Sequence, residues 1–225
     1  MAALPPGWFG KMASLGDFAS RRMTPEWVQA CDTWLSAGVD TSRQQLGDQW
    51  LATYLAAPVW RFAWAPNVVD AQWWFGVLMP SCDRVGRYFP LIVAQPRALP
   101  PADRFGLAHL DLWWTRLAQV AMRTLDDAAH IETFEAELAD LPDWPAVRTA
   151  ASLTAPVGAS AQLTWPAGTT LDELAHSLAA DSLQRRLHGH SLWCPWRAEA
   201  PASPCHLVPG LPGADAFAQI LFAPG

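Results

Sequence analysis

The sequence predicts an α/β fold: a single layered domain built on a mixed, largely antiparallel sheet with helices on both faces. Three observations predict it. Two short apolar runs, residues 73–79 and 88–94, are joined by the polar, glycine-containing link SCDRVGR, the pattern of paired strands. Neither run alternates between apolar and polar residues, so each needs cover on both faces and belongs in the middle of a sheet. Segments of helical period stand before and after the pair in the chain and supply that cover.

The elements follow in order. Residues 7–12 (GWFGKM) are short and aromatic and suit a first strand, and a polar connection with Gly16-Asp17 as its turn signal comes next. Thr24, Pro25 and Glu26 mark a helix start, with a capping hydroxyl, a proline at the first helical position and an acid at the positive end. Trp27, Cys31, Trp34, Leu35 and Gly38 then recur at helical spacing to about Leu46, where Gly47 ends the helix. Asp48 is placed to cap a short second helix that runs through Leu55 and stops at Pro58. VWRFAW (59–64) reads as a strand, and Pro66-Asn67 marks the turn before the central pair.

After the central pair, the proline-rich PRALPP ends the strand and carries the chain to a new layer. Residues 103–125 form a third helix, with Leu107, Leu110, Trp114, Leu117 and Ala121 on one face, widened by Trp113 and Val120. An acidic helix over 131–141 follows. Residues 142–169, punctuated by Pro142, Pro145, Pro156 and Pro166, read as an irregular excursion within a domain that takes in 1–225. Thr170 and Glu173 fit a capping box that opens a helix to Leu187. Two more strands fall at 191–196 and within 204–210, and a closing helix at 213–221 turns Phe217, Ile220 and Leu221 inward.

Of the 225 residues, 51% are hydrophobic and 16% charged, which supports a substantial core rather than a disordered linker. The net charge is −6, with a single lysine, Lys11, among scattered arginines. No basic stripe is available to neutralise phosphates, so nucleic acid is excluded as a partner. Cys31, Cys82, Cys194 and Cys205 form no CxxC pair and read as reduced, mostly buried thiols. The N-terminus lacks a basic segment followed by an apolar one, and no run approaches the roughly eighteen apolar residues of a membrane span. The expectation is a cytoplasmic protein without membrane insertion.

Chemistry is sparse. No GxSxG elbow, phosphate-cradling glycine loop, HExxH or EF-hand pattern is present, so no enzyme activity and no cofactor are expected. Asp83, Arg84 and Arg87 have two readings. As an anion-recognition fork they bind a phosphate or carboxylate, and as an ion pair Asp83 and an arginine pin their own loop; the second is favoured. Asp17, in Gly16–Phe18, with Arg21 and Arg22 is either a turn or part of the same charged surface. His188, His190, Cys194, Cys205 and His206 are the alternative, a zinc set of imidazoles and thiolates. Their spacing matches no compact zinc pattern, and histidines at a helix C-terminus or cysteines in strands are ordinary structure. The tryptophans are mainly core, with a few expected at a binding face.

Several blocks together carry a resemblance: GWFGKMASLGDF, APVWRFAWAP, GVLMPSCDRVGRYFPL, SLW at 191–193 and GLPGADAF near the end. They resemble the TagF (ImpM) family of type VI secretion-associated proteins, and PSxDRxGRxFPL is the most specific of them. Leu15 departs from the family's arginine before GDF, and Cys194-Pro195 departs from its continuation after SLW. The resemblance implies a cytoplasmic, non-enzymatic accessory protein that holds the secretion machine in check after translation. It does so by binding the forkhead-associated scaffold protein, apart from the threonine kinase and phosphatase branch. The resemblance also places partner-binding residues Asp83, Arg84, Arg87, Asp17 and Arg21 at or near that surface.

Overall fold

The computed structural model describes residues 4–126, 128–144, 167–196 and 204–221. The strands are β1 (Gly7–Gly10), β2 (Ala19–Arg21), β3 (Val59–Trp64), β4 (Trp73–Met79), β5 (Leu91–Arg97), β6 (His190–Trp196) and β7 (His206–Pro209). The helices are α1 (Pro25–Leu46), α2 (Trp50–Ala56), α3 (Arg104–Met122), α4 (Ile131–Ala139), α5 (Leu171–Leu187) and α6 (Ala214–Leu221). The strands form one sheet in the order β2-β1-β5-β4-β3-β6-β7, and every neighbouring pair is antiparallel.

β4 is the middle strand and is buried from end to end. Its residues alternate between two cores, as the pleat requires. Trp74 and Leu78 join Trp60, Phe62, Trp64, Ile92 and Trp193 on one face, under Trp27, Cys31, Leu35 and Val39 of α1, Trp50 and Tyr54 of α2, and Phe217 of α6. Trp73, Phe75, Val77 and Met79 join Val59, Leu91 and Val93 on the other, under Leu110, Trp113 and Leu117 of α3 and Phe134 and Leu138 of α4. The first core is built from rings in contact: Trp64 stacks on Phe62 at 4.3 Å and on Trp27 at 6.0 Å. None of the described tryptophans is exposed, so the expectation of tryptophans at a binding face is not met there.

Local signals place most helix ends. The Thr24 hydroxyl accepts from the Trp27 amide, Asp103 accepts from the Gly106 amide at 2.6 Å, and Thr170 and Glu173 form the capping box. Asp48 does not cap; it lies in a 3₁₀ turn, Gly47–Gln49, that leads straight into α2.

Further details differ from the sequence reading. Ala19–Arg21 is a strand, and its short, solvent-facing run carries no apolar pattern because it is an edge. β5 starts at Leu91 rather than at Tyr88, since Tyr88 and Phe89 bond back to Cys82 and Ser81 in the loop. It then continues through Pro96, which faces only Trp74, because β1 reaches no farther along β5 than the pair Gly7↔Ala94. A strand with one neighbour has an unpaired side on which a missing N–H costs no ladder bond, the setting in which proline is tolerated. On α3, Leu107 is 47% exposed and the buried stripe runs through Gly106, Leu110, Trp113, Leu117, Val120 and Ala121. Most of the irregular stretch, residues 145–166, and the Leu221 side chain lie outside the described residues.

Gly38 lets α6 dock on α1. A Cβ at this position would stand 2.4 Å from Cδ2 of Phe217, which is fully buried. Gly38→Val should therefore lower unfolding stability by about 1–3 kcal/mol in urea titrations, the usual cost of overpacking a core. An unchanged midpoint would show that α6 is not held by this contact.

Candidate functional site

Two loops meet at one end of the sheet. Residues 11–18 connect β1 to β2, and residues 80–90 connect β4 to β5. Asp83 joins them. Its side chain is fully buried, and its Oδ2 accepts from Lys11 Nζ at 2.7 Å and from Arg87 Nε at 2.7 Å. Its Oδ1 accepts from the backbone amides of Val85 at 3.1 Å and Arg87 at 2.9 Å. Burial alone would raise the carboxyl's pKa, but the bonds from Lys11 and Arg87 outweigh it and hold the group well below the ordinary carboxylate range.

Further bonds lock the loops to each other. The Arg84 amide donates to the Leu15 carbonyl at 2.8 Å, and Arg87 Nη2 donates to the Gly16 carbonyl at 2.7 Å. Gly86 takes the turn at φ 80°, a region that glycine enters without a steric cost. Beneath lies an aromatic base, with Phe18 edge-on to Phe89 at 4.7 Å and Lys11 Nζ over the Phe18 ring at 4.9 Å. Tyr54 Oη donates to the Ser81 carbonyl and accepts from the Ser81 amide, both at 2.9 Å, which ties the loop to α2.

Asp17, Phe18, Arg84, Val85 and Arg87 face solvent from this frame, Val85 at 67% exposure. The Arg84 guanidinium has no side-chain hydrogen bond or ion pair among the described residues, whereas Arg87 is committed to Asp83 and Gly16 and lies 3.8 Å from Asp17. The structure therefore brings together four of the five residues singled out from sequence. Arg21 is held apart, on β2, where it faces Glu135 of α4 at 3.9 Å. Lys11 was not among the five. Its signal was that it is the chain's only lysine in an arginine-rich sequence.

The exposed part of the double loop combines a guanidinium, a carboxylate and an apolar side chain, from Arg84, Asp17 and Val85. An apolar hollow of about 620 Å³ opens beside it, lined by Leu55, Met79, Ser81, Cys82, Tyr88 and Met122 among others. The thiol there is not poised for attack: burial, and then the Asp83 charge, push the Cys82 pKa up.

The chain matches the family described as TagF N-terminal domain, type VI secretion system-associated, over residues 7–141. The chain belongs to this family. Both loops lie inside the matched region. A solved relative is PA0076 from Pseudomonas aeruginosa PAO1, with a TM-score of 0.74 and 35% identity over 96% of this chain and 93% of that one. No curated protein matches. Membership of the TagF family supports a regulatory role in type VI secretion.

In this TagF-family chain the alternative zinc set does not assemble. No group of three or more His, Cys, Asp or Glu residues able to hold a metal occurs among the described residues. Cys194 and Cys205 do interact, but His206 pairs with Trp193 and lies against Trp60 on the first face, while Cys194 points to the second. His188 bonds Asn67 at 2.8 Å and His190 bonds the His188 carbonyl at 2.9 Å, at the far end of β6. No helix among the described residues is long and apolar enough to cross a membrane.

The Asp83 knot predicts a pH dependence. A carboxyl whose folded pKa is depressed stabilises the fold fully above its unfolded value, about 3.9, and the contribution disappears as pH falls below that. The Tm difference between wild type and Asp83→Asn should be constant above about pH 5 and shrink steadily towards pH 2. A difference that stays constant through the acid range would show that the fold does not depress the Asp83 pKa. Glu135, held low against burial by Arg22 and Trp8, contributes with the same sign to both proteins and cancels in the comparison.

Proposed function

We propose that this chain is a post-translational negative regulator of a bacterial type VI secretion system, acting by binding the system's forkhead-associated scaffold protein. The observation that carries the reading is the pinned double loop, which offers Arg84 and Val85 on a rigid frame. Arginine is enriched at binding hot spots, and a loop already held in one conformation loses little entropy when it binds. Family membership supports the setting in type VI secretion. The mechanism is sequestration: a reversible equilibrium at a surface that removes the scaffold from the assembling machine, with no bond made or broken.

The reading takes the chain as one unit in a cytoplasmic setting. The family match ends at residue 141, yet β6 and β7 lie beyond it, β6 pairing with β3 and β7 with β6, so the sheet behind the loops draws on both parts. Arg84 and Val85 are the primary contacts, Asp17 and Arg87 shape the frame and border it, and Arg21 lies at the margin.

Isothermal titration against the forkhead-associated protein of the same gene cluster tests this. The wild type should bind at micromolar Kd or tighter. Arg84→Ala should weaken binding about tenfold with its Tm unchanged, which is about 1.4 kcal/mol of interface energy. Arg87→Ala should weaken it too, with a lowered Tm because Asp83 loses a partner. Binding untouched by both substitutions would move the contact off the loops. No binding by the folded wild type would overturn sequestration.

A further inference from the structure

Cys194 lies in β6, and Cys205 immediately precedes β7. The strands are antiparallel, and the pairs from His190↔Pro209 to Trp193↔His206 carry the register to the first residue of β7. One further step sets Cys194 opposite Cys205. Opposed residues in an antiparallel pair have Cα atoms about 4.5 or about 5.5 Å apart, and a disulfide spans about 4.4–6.8 Å, so either geometry accepts one. The side chains also meet, since the Cys194 thiol interacts directly with that of Cys205, and both are free. Cys205 is exposed and Cys194 half-buried. Cys31 is sealed in α1 and Cys82 sits in the loop after β4, so neither lies on these two strands.

We propose that Cys194 and Cys205 are a reversible disulfide site that clips β7 to β6, formed by exchange with a small-molecule disulfide of the glutathione type. The exposed Cys205 thiolate attacks one sulfur of oxidised glutathione. The Cys205–glutathione bond forms, the glutathione S–S bond breaks, and the released thiolate takes a proton from solvent. Cys194 then gives its proton to solvent and attacks the Cys205 sulfur; the Cys194–Cys205 bond forms and the second glutathione leaves. Two protein thiols are oxidised to one disulfide, and one glutathione disulfide is reduced to two thiols. Burial, and then the adjacent Cys205, push the Cys194 thiol up to about 12, which makes Cys205 the first attacker and the closing step faster as pH rises.

The clip has a structural consequence. Among the described residues, β7 is the terminal strand on this side of the sheet and is paired only with β6. A bond between the two restricts opening of that edge.

The full chain, equilibrated in glutathione buffers of graded ratio, quenched by alkylation and mapped by peptide mass spectrometry, tests the proposal. Cys194 and Cys205 should leave the alkylated pool together in one two-electron transition, reversed by dithiothreitol, with Tm raised by about 4–8 °C in the oxidised form. Cys194→Ser should stop at a glutathione adduct on Cys205. Cys205→Ser, a change at an exposed position, should abolish the transition. Four free thiols at the most oxidising ratio would overturn the proposal, as would a wild-type adduct that never closes, or a disulfide through Cys82 or between two copies. An internal Cys194–Cys205 bond with unchanged Tm would overturn the clip.

Discussion

A middle strand with no solvent side sets the terms for this fold. β4 buries every residue from Trp73 to Met79, so its odd and even positions each need a separate apolar layer. The layers come from different parts of the chain: α1, α2 and α6 on one face, α3 and α4 on the other. Large rings make this packing economical in residues, since each aromatic side chain removes a large area from water in one rotamer. Trp64, Trp73, Trp113 and Trp193 are all at most 1% exposed. The first face is therefore held by ring-on-ring contact between strands and helices rather than by many small aliphatic contacts.

The same constraint produces the double loop. The chain leaves β4 from a position buried on both sides and must return beside it in β5, so the connection starts and ends in the interior. Asp83 is drawn below the surface there, where an unpaired carboxylate would carry a large desolvation penalty. Lys11, entering from the end of β1, and Arg87, from the loop's own return, neutralise it with hydrogen bonds of good geometry. A buried carboxylate with two cationic partners is a demanding arrangement, and its result is specificity of loop conformation. Arg84 and Val85 are displayed by a frame whose charges are already spent on one another.

The two ends of the sheet are built differently. On one edge, β2 is three residues long and is tied to α4 through the Arg21 and Arg22 contacts with Glu135. On the other, β7 has β6 as its single neighbour among the described residues and alternates between half-buried and exposed residues. Short edge strands offer little template for pairing with other chains. The thiol pair lies at the second edge, away from the double loop.

The sequence by itself determined the central strands, the interleaved helices and their caps, because burial on both faces and backbone preferences are written in neighbouring residues. The apolar runs at 59–64 and 73–79 and the Thr24 and Thr170 caps are of this kind. The loop after β4 was also legible as the distinctive charged feature, and an ion pair between Asp83 and an arginine was the favoured of its two readings; that the arginine is Arg87 is seen in the fold. Only the tertiary structure decided which groups meet across the chain. Lys11 and Asp83 are 72 residues apart, and no local pattern names one as the other's partner. The same holds for the polar strand β2, for Pro96 inside β5, and for the rotation of α3 that exposes Leu107 and buries Gly106. It also separated the cysteines from the histidines, since strand register puts Cys194 and His206 on opposite faces. Local pattern reports how much of a residue is buried; partners are assigned by sheet order and register, which depend on every strand at once.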